Sequence, residues 1–413
     1  MIPRATGLRP LLAAEIVSTT GACMTAIALP WLVLTTTGSA AKAGLVAAVE
    51  WVPMALLGIP SGSIAARLGP RRTIVACDAA RIPIVAAVPV LYWLGALDFG
   101  VLLGLAFLTG AFFPAHFASQ RTILPTLLGE AADDLTRGNA VLQAANRLPM
   151  VLGPALGGLL VAALGAPAVL VIDAASYAFS ALLVTTLVPA VADGAAPQAE
   201  ERGGLWDGAR ELARERVLRP LTLAYAGIDL AMQGVFLAVP VLVFSVYDRN
   251  AGLAGLLLAA WGAGALAGTV PALRLSSREP VRLIRWALVA QAAPLWVVAA
   301  PLPPLVLAAG MALSGLANPV ANAPANTFVT LSVAEPLRAK TMLAFITAST
   351  TAAGVGLFIA GPVAEAFGAR AVIAGGATIV SLSALGFAVA TRPRGRDIVA
   401  QAITSREFVR GRT

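Results

Sequence analysis

Several ionisable side chains lie inside long apolar runs of the sequence, where a charge is costly unless it has a partner or a function. Asp229 lies about ten residues into one run, with Tyr225 four residues before it and Gln233 four residues after it. On a helix, this spacing places the three side chains on one face. A carboxyl group in such surroundings is a candidate carrier of a proton, so we predict a polar pathway along this face.

Other polar residues in apolar runs extend the set of candidates. Glu50 and Glu15 are further candidate proton carriers, although Glu15 lies near the end of its run and could instead reach the polar boundary. Asn318 and Asn322 again share a helix face, which could contact a ligand or hydrogen-bond a neighbouring helix. His116 and Gln120 form a similar pair, which we interpret as a structural hydrogen bond rather than a proton relay.

The sequence offers few residues for catalysis, metal binding, disulfide bonds or cofactor binding. The chain has one histidine and two cysteines, and both cysteines lie in apolar runs. We therefore predict no catalytic residue, no metal site and no disulfide framework. Gly262 to Ala267 imitates a dinucleotide fingerprint, but no strand precedes it, and neither lysine completes a phosphate-binding loop. We accordingly expect no cofactor.

The apolar runs themselves predict the class of protein. Hydrophobic residues make up 58% of the chain and charged residues 12%. A helix needs about 20 apolar residues to cross a bilayer, and closed barrels would require short alternating strands, which are absent. We predict an all-α integral membrane protein with twelve spans, near residues 11–34, 43–66, 73–94, 100–120, 139–162, 166–188, 219–244, 251–272, 283–300, 304–326, 342–363 and 370–391.

The basic residues predict the orientation. With twelve spans, all of the 29 lysines and arginines except Lys42, Arg249 and Arg370 fall on the same side. Cytoplasmic loops retain such cations, so we expect both termini in the cytoplasm and the protein in the inner or plasma membrane. The formal charge of +8 then reflects contact with lipid headgroups rather than with nucleic acid.

An internal repeat predicts two related halves. Leu-Arg-Pro-Leu occurs at residues 8–11 and again at 218–221, and Gly153-Pro154 is matched by Gly361-Pro362. We predict two pseudo-symmetric six-helix bundles, at 1–190 and at 219–413, the second ending in a basic tail. We expect residues 191–218 to form a cytoplasmic linker with a short amphipathic helix, which lies either at the membrane interface or in solvent. The apolar face of this helix would carry Trp206, Ala209, Ala213 and Val217.

Two motifs carry a resemblance to a known family. The segment after the second span contains Gly62, Arg67, Gly69, Arg71 and Arg72, and continues into Asp78 and Arg81. The fifth span contains a glycine and proline motif made of Gly153, Pro154, Gly157 and Gly158. The chain resembles the major facilitator superfamily, whose signature at the first place is Gly-x-x-x-Asp-Arg-x-Gly-Arg-Arg. The resemblance is to the drug and siderophore exporter branch, which includes the enterobactin exporter, but the signature aspartate is Ala66 here.

The resemblance implies roles for both motifs. The basic segment would form electrostatic contacts that bias the opening of the transporter, with Asp78 paired to Arg81, Arg67 or Arg71. These arginines could alternatively serve only to orient the protein in the membrane. The glycine and proline motif would seal the path and favour export, or would serve only close helix packing.

The combined prediction is a secondary transporter. We expect export of a hydrophobic or amphipathic small molecule by alternating access, with protons as the coupling ion and a monomer as the transport unit. Aromatic residues such as Trp51 and Phe113 could line the substrate cavity. Uptake of a metabolite is the alternative within transport, and a membrane-embedded enzyme or lipid-handling protein is the alternative outside it.

Overall fold

The computed structural model describes residues 7–128, 132–189, 207–275, 280–333 and 337–391, and every regular element within these ranges is a helix. The helices are α1 Leu8–Thr37, α2 Ala40–Leu68, α3 Pro70–Trp93, α4 Phe99–Ala111, α5 Phe113–Leu128, α6 Ala132–Leu164, α7 Ala166–Leu187, α8 Asp207–Arg214, α9 Leu218–Val246, α10 Ala251–Ala267, α11 Thr269–Leu275, α12 Pro280–Ala299, α13 Pro304–Ser332, α14 Arg338–Phe367 and α15 Ala369–Ala390.

The helices have the length and composition that a membrane requires. Eleven helical segments among the described residues are long and apolar enough to cross a bilayer. Helix α2, with 29 residues, is the twelfth of spanning length. Large apolar side chains on the helix surfaces are exposed, for example Leu305 at 82% and Phe367 at 76%, as expected for groups in contact with lipid. The predicted all-α membrane fold is confirmed.

Two of the predicted spans are interrupted. The fourth span is divided between α4 and α5, and the eighth between α10 and α11. In each case a proline follows the break, Pro114 in one and Pro271 in the other. Proline lacks an N–H group, and its ring clashes with the carbonyl group four residues earlier. These carbonyls belong to Gly110 and Ala267, near the ends of α4 and α10.

Sharp turns connect two pairs of consecutive spans. Gly165 joins α6 to α7 with a φ of 85°, and Gly368 joins α14 to α15 with a φ of 84°. Both angles lie in the region that residues with a Cβ atom rarely adopt, so glycine is required at each turn. The same turn thus recurs after the fifth and the eleventh span, in agreement with the internal repeat.

Packing divides the chain into two compact units. Unit 1 comprises Met1–Glu201, Gln233–Gly262 and Gly354–Val372, and unit 2 comprises Arg202–Met232, Ala263–Ala353 and Ile373–Thr413. In unit 1, α1 packs on α6 and α7, α3 on α5 and α7, and α2 on α4 and α5. In unit 2, α12 and α11 pack on α13. The units divide α9, α10, α14 and α15, so a boundary between two six-helix bundles at residues 191–218 stays a prediction.

The linker helix is α8, and its buried face differs from the predicted one. Gly208 and Leu212 are buried, whereas Ala213, on the predicted apolar face, is exposed. A Cβ atom on Gly208 would collide with the backbone carbonyl of Lys340, at the start of α14. Helix α8 therefore packs closely on protein within unit 2. Trp206 and the first part of the linker lie outside the described residues.

Candidate functional site

A cavity of about 520 Å³ lies among the helices of unit 1. Its volume is within the range of small-molecule sites, roughly 300–1,000 Å³. Helices α1 to α7 supply all of its lining residues, and most of the surface that these residues expose to the cavity is apolar. The aromatic lining residues are Trp51, Phe113, Phe117 and Tyr177, and the ionisable ones include Glu15, Glu50, Arg81 and His116. The sequence candidates Glu15, Glu50 and Arg81 thus meet at one cavity.

The structure places His116 between two carboxylates. Its Nε2 atom lies 3.3 Å from Oε1 of Glu15, and its Nδ1 atom lies 3.3 Å from Oδ1 of Asp78. All three residues are buried, with exposed fractions of 7% for His116, 1% for Glu15 and 0% for Asp78. Glu15 therefore does not extend to the polar boundary, and that alternative is wrong. We call Glu15, His116 and Asp78 the acid–histidine triad.

Neutral polar groups surround the acid–histidine triad. The side-chain amide of Gln120 donates to Oε2 of Glu15, and the amides of Gln120 and Asn146 bond to each other. The hydroxyl of Ser180 donates to Oδ2 of Asp78 over 2.6 Å. Buried polar groups are expected to find such partners. The network connects α1, α3, α5, α6 and α7 around one side of the cavity.

Arg81 lies beside this network. Its guanidinium group is 5.4 Å from the ring centroid of Tyr177, and its Nε atom is buried without a hydrogen-bond partner. A cation over an aromatic face is stabilised by the ring quadrupole. Arg81 is the one arginine or lysine among the residues that line the cavity. It places a positive charge near Glu50 and Tyr177.

The sequence analysis missed Asp173, in α7. Its Oδ2 atom accepts a hydrogen bond of 2.6 Å from the hydroxyl of Thr25, and the residue is 1% exposed. Gly21 on α1 lies directly against Asp173 and Ser176, so that a Cβ atom at this position would collide with both side chains. The carboxylate therefore joins α7 to α1. An acidic residue inside an apolar run was the available signal, and the same rule had identified Asp229.

The basic segment between α2 and α3 contacts a helix end rather than Asp78. Arg71 donates from Nε to the carbonyl of Val188 over 2.8 Å and from Nη2 to that of Thr185 over 2.6 Å. It thereby satisfies carbonyl groups at the end of α7 that have no partner within the helix. Gly69 begins α3 with a φ of 82°, and Arg67 and Arg72 are exposed. Gly62 lies within α2. Any gating role of this segment stays a prediction.

The glycine and proline motif of α6 contacts two helices. Gly153 and Gly157 face α1, where a Cβ atom on Gly157 would lie 2.9 Å from Cα of Met24. Gly158 faces α10, where its Cβ atom would lie 2.6 Å from Cα of Gly255. Conversely, a Cβ atom on Gly255 would lie 2.5 Å from the carbonyl oxygen of Pro154. Small residues thus allow the backbones to approach closely on both sides of α6.

A second close crossing in unit 1 involves the matching glycine of the repeat. A Cβ atom on Gly361 of α14 would lie 2.7 Å from the carbonyl oxygen of Ala40 on α2. Nearby, Oε2 of Glu365 accepts hydrogen bonds from the hydroxyl of Ser39, over 2.5 Å, and from the backbone N–H of Ala41, over 2.8 Å. Glu365 therefore caps the N-terminus of α2, where a negative charge is favourable.

The candidates in α9 and α13 have other partners. Asp229 accepts a hydrogen bond from Ser349, and the ring of Tyr225 lies 5.6 Å from that of Phe345, both within unit 2. Gln233 is partly buried on the same face of α9. Asn322 donates to Asn318 over 2.9 Å, so these two amides bond to each other along one helix. Contact of these amides with a ligand or with a neighbouring helix stays a prediction.

Comparison with known proteins identifies the family. The model described as Major Facilitator Superfamily matches residues 11–356. The chain belongs to the major facilitator superfamily. The chain is 30% identical over 400 residues to a protein of Mycolicibacterium fortuitum named "Multidrug efflux pump Tap". The match covers 94% of this chain and 96% of the relative. The protein of the same name from Mycobacterium tuberculosis H37Rv is 29% identical over 371 residues, covering 87% and 88%.

Solved structures agree on the fold. A bacterial homologue of the iron transporter ferroportin, in an inward-facing state, superposes with a TM-score of 0.74 at 15% identity, covering 93% of this chain and 98% of that one. The family match and the efflux-pump relatives, together with the many apolar helices, make the protein a multi-pass membrane transporter and not an enzyme. Within its described residues, no group of three or more histidine, cysteine or acidic side chains could hold a metal ion.

Proposed function

We propose that this transporter exports amphipathic small molecules of the drug type from the cytoplasm in exchange for protons. The observation that carries the proposal is the cavity of unit 1, in which carboxylates lie beside several aromatic rings. Aromatic side chains that line a cavity favour planar or hydrophobic molecules, and a carboxylate beside them favours a cationic group. The relatives at 29% and 30% identity are named as multidrug efflux pumps, which supports export over uptake.

Proton exchange is the second part of the proposal. The chain offers no nucleotide-binding motif, so a gradient must supply the energy for uphill export. The carboxylates of Glu15 and Glu50, which line the cavity, can alternate between charged and neutral forms as protons bind and leave. Asp229, near the middle of α9, remains a further candidate. A substrate cation and a proton would then compete for the same negative charges.

The third part concerns alternating access. We propose that the two halves of the repeat rock against each other, with both termini cytoplasmic and one chain as the transport unit. The basic segment from Gly62 to Arg72, together with Asp78 and Arg81, would bias one opening. The glycines of α6 would set how tightly α6 packs on its neighbours in one of the alternating states.

Transport into everted membrane vesicles tests the proposal. Vesicles that contain the full chain should accumulate ethidium, an amphipathic cation, when their interior is made acidic. Nigericin, which abolishes the pH gradient, should stop this accumulation. Accumulation that persists with nigericin would contradict proton exchange, and the absence of any accumulation beyond that of control vesicles would contradict export.

A pair of aromatic variants tests the cavity. Trp51 lines the cavity, whereas Phe179 on α7 is 46% exposed on the helix surface. Loss of an aromatic contact costs about 1 kcal/mol, or roughly 5-fold in affinity. Trp51→Ala should therefore raise the KM for ethidium by about this factor, whereas Phe179→Ala should not. Equal KM values for the two variants would place the substrate elsewhere.

A further inference from the structure

The acid–histidine triad contains more acceptors than a neutral histidine can satisfy. A carboxylate oxygen lies 3.3 Å from each ring nitrogen of His116. A neutral imidazole has one N–H group and one lone pair. With both carboxylates ionised, it could therefore satisfy only one contact, and the other would bring two lone pairs together. The arrangement requires a second proton, on the imidazole or on a carboxyl group.

Among the residues that the structure describes, no other group relieves the contact between His116 and Asp78. The Nδ1 atom of His116 and the Oδ1 atom of Asp78 are both buried without another hydrogen-bond partner. The other carboxylate oxygen of Asp78 is already bonded to Ser180. A buried polar atom without a partner is costly, so these two atoms depend on a hydrogen held between them.

Each helix that packs around His116 contributes polar or charged side chains to its surroundings. Its own helix, α5, contributes the neutral amide of Gln120, and α6 contributes that of Asn146. The titratable or charged neighbours are Glu15 on α1, Glu50 on α2, Asp78 and Arg81 on α3, and Tyr177 on α7. The carboxylates outnumber the single permanent cation, so the surroundings favour a positive charge on the imidazole.

We propose that Glu15, His116 and Asp78 together bind the coupling proton. This inference rests on the proposed proton exchange and names its site. Glu15 lines the cavity, Asp78 is fully buried, and His116 lies between them. A proton that arrives from water in the cavity reaches the triad at Glu15 or His116. The imidazole then donates to both carboxylates and holds α1, α3 and α5 together.

Loss of the proton has the opposite effect. When the imidazole becomes neutral, one of its nitrogens presents a lone pair to a carboxylate, and that contact becomes repulsive. A substrate cation that binds at Glu15 replaces the positive charge of the imidazolium and releases its proton to the cavity water. The exchange leaves the local charge unchanged. It frees α5 from Asp78 on α3, the helix that begins directly after the basic segment.

The composition of the chain allows a direct test. His116 is its one histidine, so labelling with 15N-histidine gives signals from this residue alone. The full-length protein in lipid nanodiscs should show both ring nitrogens protonated near neutral pH. Saturating tetraphenylphosphonium, an amphipathic cation, should shift the signals to those of a neutral ring at the same pH. Signals that are identical with and without tetraphenylphosphonium, at each pH from about 5 to 9, would overturn the proposal.

Transport measurements separate the triad from the proposed function. His116→Gln retains a donor and an acceptor but cannot take up a proton. Its affinity for tetraphenylphosphonium should depend less on pH than that of the wild type, whose affinity should fall as the pH falls because the proton competes with the cation. Accumulation driven by the pH gradient should decrease by about 10-fold or more, within the usual range of coupling between sites. Thr122→Ala, exposed on the same helix, should retain it. Asp78→Asn, which keeps the carboxylate of Glu15 for the substrate cation, is the second variant if His116→Gln does not fold.

The outcomes are distinguishable. If the pH gradient has no effect on tetraphenylphosphonium accumulation by the wild type, both the proposed proton exchange and the triad as a coupling site are contradicted. Gradient-driven accumulation by both the wild type and His116→Gln, at similar levels, contradicts the triad alone. If His116→Gln folds and its affinity for tetraphenylphosphonium depends on pH as strongly as that of the wild type, the triad does not exchange its proton for the substrate, and the inference is overturned.

Discussion

The crossing of α6 and α10 offers the sharpest test of the packing described above. Gly158 and Gly255 face each other across it, and each lies against the backbone of the opposite helix. A methyl group on Gly158 would lie 2.6 Å from both Cα of Gly255 and the carbonyl oxygen of Ala251. Backbone atoms cannot turn aside as a flexible side chain can. We therefore expect Gly158→Ala to push the two helices apart.

The distances indicate the size of the effect. Carbon atoms pack with least energy at about 3.5–4.0 Å, so the helices must separate by roughly 1 Å to admit the methyl group. Overpacking of this kind typically costs about 1–3 kcal/mol. If α6 and α10 contact each other in only one of two alternating states, this cost disfavours that state by about 5-fold to 150-fold.

Two measurements test this expectation against a matched control. Gly104 on α4 has open space where a Cβ atom would be added, so Gly104→Ala is the control. We expect Gly158→Ala to lower the thermal midpoint of the purified protein and to reduce ethidium transport, with normal membrane insertion. If Gly158→Ala and Gly104→Ala have the same midpoint and the same transport rate, the close crossing has no energetic importance and the reasoning fails.

Other contacts give further predictions. Arg71→Met should lower the free energy of unfolding by about 1 kcal/mol, because two carbonyl groups at the end of α7 lose a charged donor, and thermal denaturation measures this. Asp173→Asn and Thr25→Val should each destabilise the protein by about 1 kcal/mol, and a non-additive double variant would confirm that they share one hydrogen bond, whereas full additivity would argue against it. Glu365→Ala should reduce the thermal midpoint more than Glu365→Gln, because glutamine still offers an oxygen to Ser39 and Ala41; equal midpoints would exclude the cap.

The membrane explains why so much of the fold was predictable. Every backbone polar group must be satisfied within a spanning segment, so length and hydropathy determine the helices. A proline follows each break, at Pro114 and Pro271, but Pro30 and Pro240 lie within unbroken helices, so a proline alone does not predict a break. Asp173 was missed although the rule for buried acids applied to it. The spans and the apolar run around Asp173 depend on neighbours in sequence.

The site was less predictable because its contacts join distant parts of the chain. Glu15, Asp78 and His116 were each visible as polar residues in apolar runs, but their meeting depends on how three helices are rotated against one another. Sequence periodicity shows which residues share one face of a helix, but it does not show which residues of another helix that face contacts. For this reason His116 was interpreted as a structural residue, and Asp78 was assigned to the arginines rather than to His116.

The position of the cavity has a consequence for adaptation. Each of its lining residues lies between Glu15 and Tyr177, in the first of the two halves that the internal repeat predicts. Under the proposed function, substitutions selected by drugs that change the range of exported compounds should therefore accumulate in that half.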